Sequence, residues 1–328
     1  MLFKRLKHSI EFGRRIIHFG SMIKRFKSGR LPTPSVIQIQ TISTCNGKCP
    51  FCPYPYTSKT LPQGKMEWDI YQSIIDQASK FPTLQILTLM LQNEPLMDKH
   101  IFRAIEYAKS KLNKCVSVNL VSNGYIMNDE VVTHLIDSRL DHLVISLNAY
   151  YKETYEALMP GFKHDVILNN IERLLAHNNH SMQISIRFLE TNHNHIEIRK
   201  AVSYWKRRRV RTEIFSFLTN RANTVDISHF RPVQHGRPLL NSLKRRFISF
   251  FNECCNFPFF QMNILFNGDV LICCNDWGRE PVMGNVRDHS LTDIWFSDAF
   301  NQIRTNVINN TYQAIAACRN CSTPEIFS

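Results

Sequence analysis

The sequence predicts an α/β chain: a partial (β/α)6 TIM-like barrel followed by a small cysteine-rich domain. Three observations carry this. Six short runs rich in Val, Ile and Leu recur between residues 36 and 218, nearly continuous in apolar character as strands buried on both faces are. Amphipathic stretches of helical period separate them, the pattern of parallel β/α units. From about Cys254 the chain changes to short strands, turns and cysteines.

The expected strands are 36–41, 86–91, 116–121, 142–147, 182–188 and 212–218, and helical patterns cover Met66–Lys80, Ile101–Lys111, Glu130–Ile136, Val166–Leu175 and Ile196–Arg207. Six units are too few to close an eight-stranded ring, so the barrel is open. Site residues of β/α barrels sit at the carboxyl ends of the strands. The chain therefore divides into a basic amphipathic segment (1–34), the barrel (35–221), a connector (222–253) holding Pro232, Gly236 and Pro238, and the small domain (254–328). Asn267-Gly268 is expected to form a tight hairpin turn. The basic runs Lys206–Arg209 and Lys244–Arg246 read as solvated faces, the first complementing a helix C-terminus.

The 328 residues carry 44% hydrophobic and 20% charged side chains, an ordinary globular balance, with a net charge of +13. All ten cysteines except Cys115 fall into tight clusters (45/49/52, 254/255, 273/274, 318/321). In a chain of this length that suits metal ligation in a reducing compartment better than a disulfide scaffold. Residues 1–30 hold nine Lys/Arg against Glu11, with Phe12, Ile16, Phe19, Ile23 and Phe26 at helical spacing. Residues 1–28 thus read either as a helix on an anionic membrane surface or as a solvated helix packed along the barrel. An organellar presequence is a third reading, and nothing in the chain is long enough to span a bilayer. The protein is expected in the cytoplasm, with a peripheral membrane location where that helix binds lipid.

The most informative segment is Cys45-Asn46-Gly47-Lys48-Cys49-Pro50-Phe51-Cys52, which follows the first strand. A closed zinc site or electron-transfer cubane takes four ligands. A local triad leaves a metal position open. This C-x₃-C-x₂-C loop at the mouth of a β/α barrel resembles the radical S-adenosylmethionine (SAM) superfamily. The resemblance implies that Cys45, Cys49 and Cys52 hold a [4Fe–4S] cluster whose fourth iron is chelated by SAM. Reductive cleavage then yields a 5′-deoxyadenosyl radical, with an electron donor of flavodoxin or ferredoxin type. Asn93-Glu94-Pro95 stands where the family carries a glycine-glycine-glutamate segment, so Glu94 is expected to hold the SAM amino group although Gln92 and Asn93 replace both glycines. By the same resemblance Ser122, Ser146, Asn148 and Arg187 are candidate SAM contacts.

The second cysteine set, with Asn267–Asp276, Gly284-Asn285 and Cys318-x₂-Cys321, resembles the SPASM/twitch domains that carry auxiliary clusters. It implies one auxiliary [4Fe–4S] cluster held by Cys255, Cys273, Cys318 and Cys321, with Cys254 and Cys274 as alternates, or a zinc site on the same thiols. Full ligation would make the cluster an electron acceptor. The expected reaction is oxidation of an alcohol carbon of a sugar, aminocyclitol or glycan-related substrate, anionic or sugar-linked, with Asp276 as base and Arg221 and Asn220 nearby. A maturase of a ribosomally made peptide is the second reading. A non-catalytic metal protein binding nucleic acid is the third, and it leaves the triad and Glu94 without a purpose.

Overall fold

A computed structural model describes residues 20–178, 181–215, 218–230, 255–319 and 321–322. Residues 231–254, which include most of the expected connector and Cys254, lie outside the described residues, as do residues 1–19. Six strands run parallel in chain order: β1 (Val36–Ile39), β2 (Ile86–Thr88), β3 (Ser117–Ser122), β4 (His142–Ser146), β5 (Gln183–Leu189) and β6 (Arg211–Phe215). Helices cross between them: α2 (Trp68–Ala78), α3 (Ile101–Lys111), α4 (Asp129–Asp137), α6 (His164–His177) and α7 (Ile198–Arg207). Two short helices, α1 (Tyr54–Thr57) and α5 (Lys152–Leu158), have no counterpart in the periodicity because each is two turns or less.

The small domain does not stand apart from the barrel sheet. Its strand β7 (Gln261–Ile264) pairs in parallel with β1, with Val36 opposite Gln261 and Ile39 opposite Ile264. Strands β8 (Asp269–Leu271) and β9 (Val282–Asn285) follow antiparallel, giving one nine-stranded sheet in the order β6-β5-β4-β3-β2-β1-β7-β8-β9. The expected tight turn at Asn267-Gly268 is a four-residue loop, in which Leu265 N–H donates to Asp269 O at 2.8 Å and Gly268 N–H to Leu265 O at 3.0 Å. Only Gly268 takes a positive φ, of 93°. A Cβ there would stand 2.7 Å from Asn285 Oδ1, so glycine is required by contact as well as by conformation.

Side chains alternate between two environments along the strands. Ile37, Ile39, Leu87, Val118, Leu120, Leu143, Ile145, Ile186 and Phe188 are fully buried in the core. Many intervening positions are polar: in-register neighbours run Gln38–Thr88–Asn119–His142 across β1 to β4, and Arg187–Glu213 across β5 and β6, while Val121 and Val144 stand among them. A barrel interior is ordinarily filled by branched apolar residues. Here it is hydrogen-bonding, as in the 2.8 Å contact of His142 Nε2 with Ser185 Oγ.

Residues 20–27 are helical. Met22 is buried, Ile23 and Phe26 pack on the core, and Phe26 meets Phe259 edge to face at 5.9 Å. Over this stretch the apolar stripe is spent on protein, as the packed-helix reading expects. No helix among the described residues is long and apolar enough to cross a membrane.

Helix α8 (Phe257–Phe260) enters β7, and α9 (Leu291–Trp295) and α10 (Asp298–Ile308) close the small domain. They are pinned by the fully buried Arg304, whose guanidinium lies 4.3 Å from the Trp295 ring and 4.4 Å from that of Phe300. Its Nε donates to Pro258 O at 2.9 Å and Nη1 to Trp295 O at 2.7 Å. Burial pushes its pKa down to about 9. Arg304→Met keeps apolar volume but leaves both carbonyls unpaired, and should cost roughly 2–5 kcal/mol in urea denaturation.

Candidate active site

The carboxyl end of β1 runs directly into the three-cysteine loop. Gly47 N–H donates to Cys45 Sγ at 3.3 Å, and Cys52 N–H closes a turn on Cys49 O at 3.0 Å. A Cβ at Gly47 would contact Cys45 Sγ at 3.5 Å and Cys49 Sγ at 3.6 Å, which sets residue 47 between the two sulfurs. Burial pushes the Cys45 thiol up to about 12, helped by the nearby Glu94 and Cys52 charges. Cys49 and Cys52 are raised for the same first reason. Crowded thiols in low dielectric resist ionising together unless a cationic centre lies among them.

Glu94 lies beyond β2, buried and held by three donors. Its Oε1 accepts from Ser122 Oγ at 2.7 Å and Leu96 N–H at 3.1 Å, and its Oε2 from Asn123 N–H at 2.7 Å. Glu94 N–H in turn donates to Thr44 O at 2.9 Å, one residue before Cys45. Asn123 Nδ2 reaches Asn46 Oδ1 at 2.7 Å inside the cysteine loop. One carboxylate thus joins the ends of β1, β2 and β3. Burial pushes its pKa up to about 7 against those three donors. The expected strand 86–91 stops at Thr88 because residues 91–94 turn inward, with Gln92 at φ 59°.

Gln92 connects this loop to the small domain. Its Nε2 donates to Asp276 O at 2.7 Å, and its Oε1 accepts from Arg279 Nε at 3.4 Å. Asp276 is completely buried. Its Oδ1 takes N–H bonds from Arg279 (2.8 Å) and Glu280 (3.4 Å), whereas Oδ2 has no partner among the described residues. Burial raises its pKa to about 7.

The remaining candidates lie on β4 and β5. Ser146 is in register with Arg187, so both share the barrel face. Arg187 is engaged by Glu213, with Nη2 at 2.8 Å and Nε at 3.1 Å from Oε2. Asn148, at φ 63°, accepts from Leu189 N–H at 3.1 Å and points Nδ2 at Met159 Sδ, 3.5 Å away. Cys49 Sγ donates to the same Met159 sulfur at 3.3 Å. Asn148 therefore braces the cysteine loop through Met159, which short helix α5 delivers.

Beyond Gln92, the thiols of Cys255, Cys273, Cys274, Cys318 and Cys321 share one neighbourhood, each within electrostatic reach of others in the set. Burial pushes Cys318 up to about 12 and raises Cys255, Cys273 and Cys274. Cys274 also packs against Leu91, Leu265 and Leu271, on the side nearest the Glu94 loop.

Two family patterns match this chain. The radical SAM superfamily pattern covers residues 39–202, half of the sequence. The chain belongs to the radical SAM superfamily. Residues 254–322 match the SPASM iron–sulfur cluster-binding domain. As a member of this superfamily with a SPASM domain it uses a [4Fe–4S] cluster and SAM and carries auxiliary iron–sulfur binding. The donor chemistry fits: the thiols fall into two groups, and burial disfavours Cys45, Cys49 and Cys52 in the first and Cys255, Cys273, Cys274 and Cys318 in the second as bare thiolates. A cofactor-modifying protein of the tungsten-containing aldehyde ferredoxin oxidoreductase from Pyrococcus furiosus is 21% identical, over 87% of this chain and 86% of that one. An S-adenosyl-L-methionine-dependent 2-deoxy-scyllo-inosamine dehydrogenase from Niallia circulans is 18% identical, over 89% and 94%. The fold is also that of Streptococcus suis SuiB, solved with its precursor peptide SuiA, at a TM-score of 0.67 and 16% identity over 91% of this chain and 72% of that one.

Several site residues escaped the sequence reading. Met159 and Glu213 lie in no motif, and Asn46 is a spacer position of the cysteine motif. Their roles follow from loop contacts and strand register. In the sequence Gln92 stands out only as a departure from glycine.

A raised carboxyl pKa has a defined consequence for stability. Between about 4.5 and about 7 the folded chain retains the Glu94 proton that the unfolded chain releases. That stabilisation is complete below 4.5 and lost as pH rises through about 7. In the iron-free chain, Glu94→Gln should flatten this part of the stability–pH profile measured by urea denaturation, leaving the share of Asp276.

Proposed function

We propose that this radical SAM enzyme oxidises an alcohol carbon of a small polyhydroxylated substrate, a sugar, aminocyclitol or glycan-related molecule. The observation that carries the reading is the three-thiol loop tied through Thr44 and Asn46 to the caged Glu94. When bound, the first cluster and SAM supply the hydrogen-abstracting radical, and one auxiliary cluster accepts the remaining electron.

The chain's own residues have separable tasks. Cys45, Cys49 and Cys52 hold the first cluster. Glu94 accepts the SAM amino group, with Ser122 and Asn123 aligning its carboxylate, and Ser146, Asn148 and Arg187 line the neighbouring wall. The polar face with Asn119, His142, Ser185, Arg187 and Glu213 supplies donors and acceptors for several hydroxyls. Burial holds the His142 imidazole below its ordinary value, so at neutral pH it is an uncharged partner. Asp276 is the base, since Oδ2 is buried and its pKa stands near neutrality. Cys255, Cys273, Cys318 and Cys321 hold the auxiliary cluster, and a flavodoxin or ferredoxin donates the electron. The net charge of +13 favours an anionic or sugar-linked substrate. The dehydrogenase relative supports the reaction class, while the likeness to SuiB keeps a peptide substrate as the second reading.

Anaerobic reconstitution should give roughly eight irons per chain, and 5′-deoxyadenosine on reduction with SAM. Failure to form 5′-deoxyadenosine would sink the reading. Alanine at Cys45, Cys49 or Cys52 should abolish cleavage. Cys318→Ala should halve the iron, spare cleavage and block oxidation of a polyol panel. Turnover of a peptide library in place of the polyols would favour the second reading. For Glu94→Gln, SAM binding by calorimetry should weaken at least tenfold, about 1.4 kcal/mol. Asp276→Asn should keep 5′-deoxyadenosine formation while losing substrate oxidation.

A further inference from the structure

The segment that follows β4 is held by a loop from the next unit of the barrel. Asn148 stands at φ 63°, a left-handed conformation that a non-glycine residue keeps only where its surroundings hold it. The loop from Thr191 to Glu197, between β5 and α7, supplies that hold. Thr191 and Asn194 are completely buried, and Glu197 nearly so. Asn194 Nδ2 donates to Asn148 O at 2.5 Å and to Leu189 O at 2.7 Å. Leu189 N–H donates to Asn148 Oδ1 at 3.1 Å. Asn148, Leu189 and Asn194 thus close a ring of three hydrogen bonds. Asn194 is itself fixed, since its Oδ1 accepts from Thr191 N–H at 2.7 Å and from Thr191 Oγ1 at 3.2 Å. At the other end of the loop Glu197 Oε2 accepts from Tyr151 N–H at 2.8 Å, which pins the far end of the same segment.

The ring occupies nearly every polar atom of Asn148. Its N–H donates to Arg187 O at 3.3 Å, and its carbonyl and Oδ1 both accept within the ring. That leaves Nδ2, which faces the Met159 thioether at 3.5 Å, a weak acceptor. The same sulfur meets Cys49 Sγ at 3.3 Å. One side-chain donor is therefore left over, and it stands beside the three-cysteine loop.

We propose that Asn194 is a positioning residue for the SAM site. It holds Asn148 in its left-handed turn and commits Oδ1 to the backbone, so that Nδ2 is the atom offered to an acceptor on bound SAM. Without this clamp the amide can rotate and the backbone can relax, and the donor is ordered only at the cost of binding. Asn194 touches no ligand; it acts through Asn148. The proposal rests on the reading of Asn148 as a SAM contact given above.

The test is calorimetric SAM binding to the reconstituted holoenzyme, with iron content matched between variants and urea stability measured beside it. Asn194→Ala should weaken SAM about tenfold, the loss of one well-placed hydrogen bond. Thr191→Val removes a hydroxyl from the same buried loop but leaves both Nδ2 bonds, so it should lower stability and keep the wild-type affinity. In a cycle with Asn148→Ala the effects should not add, the double variant binding SAM no more weakly than Asn148→Ala alone. Asn194→Ser carries the test if Asn194→Ala does not fold. Wild-type affinity in Asn194→Ala, or in Asn194→Ser where that variant stands in, would overturn the proposal. So would additive effects, or an equal loss in Thr191→Val, which marks a general loosening. SAM affinity unmoved by Asn148→Ala would instead overturn the reading of Asn148 as a SAM contact, and that variant is measured first.

Discussion

A buried carboxylate at the end of β2 holds the rim of this barrel together. Glu94 is sealed from water and takes donors from the β3 turn and from its own loop, while its backbone N–H grips the chain just before Cys45. A charge in such a place is tolerated only when its lone pairs are met. Burial pushes its pKa up to about 7 in spite of the three donors, so burial outweighs them. A cationic group arriving at this carboxylate would tip that balance toward the ionised form. The rim therefore suits a ligand that brings positive charge, the part proposed for the SAM amino group.

The second constraint is the shared sheet. Because β7 pairs with β1, the SPASM thiols and the first triad are built from neighbouring strands, although some 220 residues separate β1 from β7 in the chain. Gln92 and Arg221 then tie the barrel to the small domain, one through Asp276 and the other through Asn275. Both bridging residues adopt left-handed backbone, at φ 59° and 49°. Strain at these two positions is offset by the contacts they make across the boundary. The barrel wall contributes a polar interior, and Arg187, Glu213, His142 and Ser185 form a continuous set across β4 to β6.

Much of this organisation is written locally. The six parallel strands, their crossing helices and the thiol triad after β1 follow from apolar runs, helical period and residue spacing, which depend only on neighbours in sequence. Strand ends shifted where long-range demands intervened. β2 stops at Thr88 because Gln92 and Glu94 turn inward, and the Asn267-Gly268 turn widened because Asn285 closes on it. The two-turn helix α5 had no periodic signal to show, yet it places Met159 against Cys49.

The amino-acid sequence alone determined the family-level chemistry of this protein: three thiols in eight residues, a glutamate after the second strand, and a later cysteine set. These are contiguous patterns, and contiguous patterns survive without a fold. The tertiary structure alone decided which groups meet. It assigned Arg187 to Glu213, Asn148 to Met159, Gln92 to Asp276 and Arg221 to Asn275. Strand register and loop geometry set those pairings, and neither is encoded within reach of a short stretch of sequence.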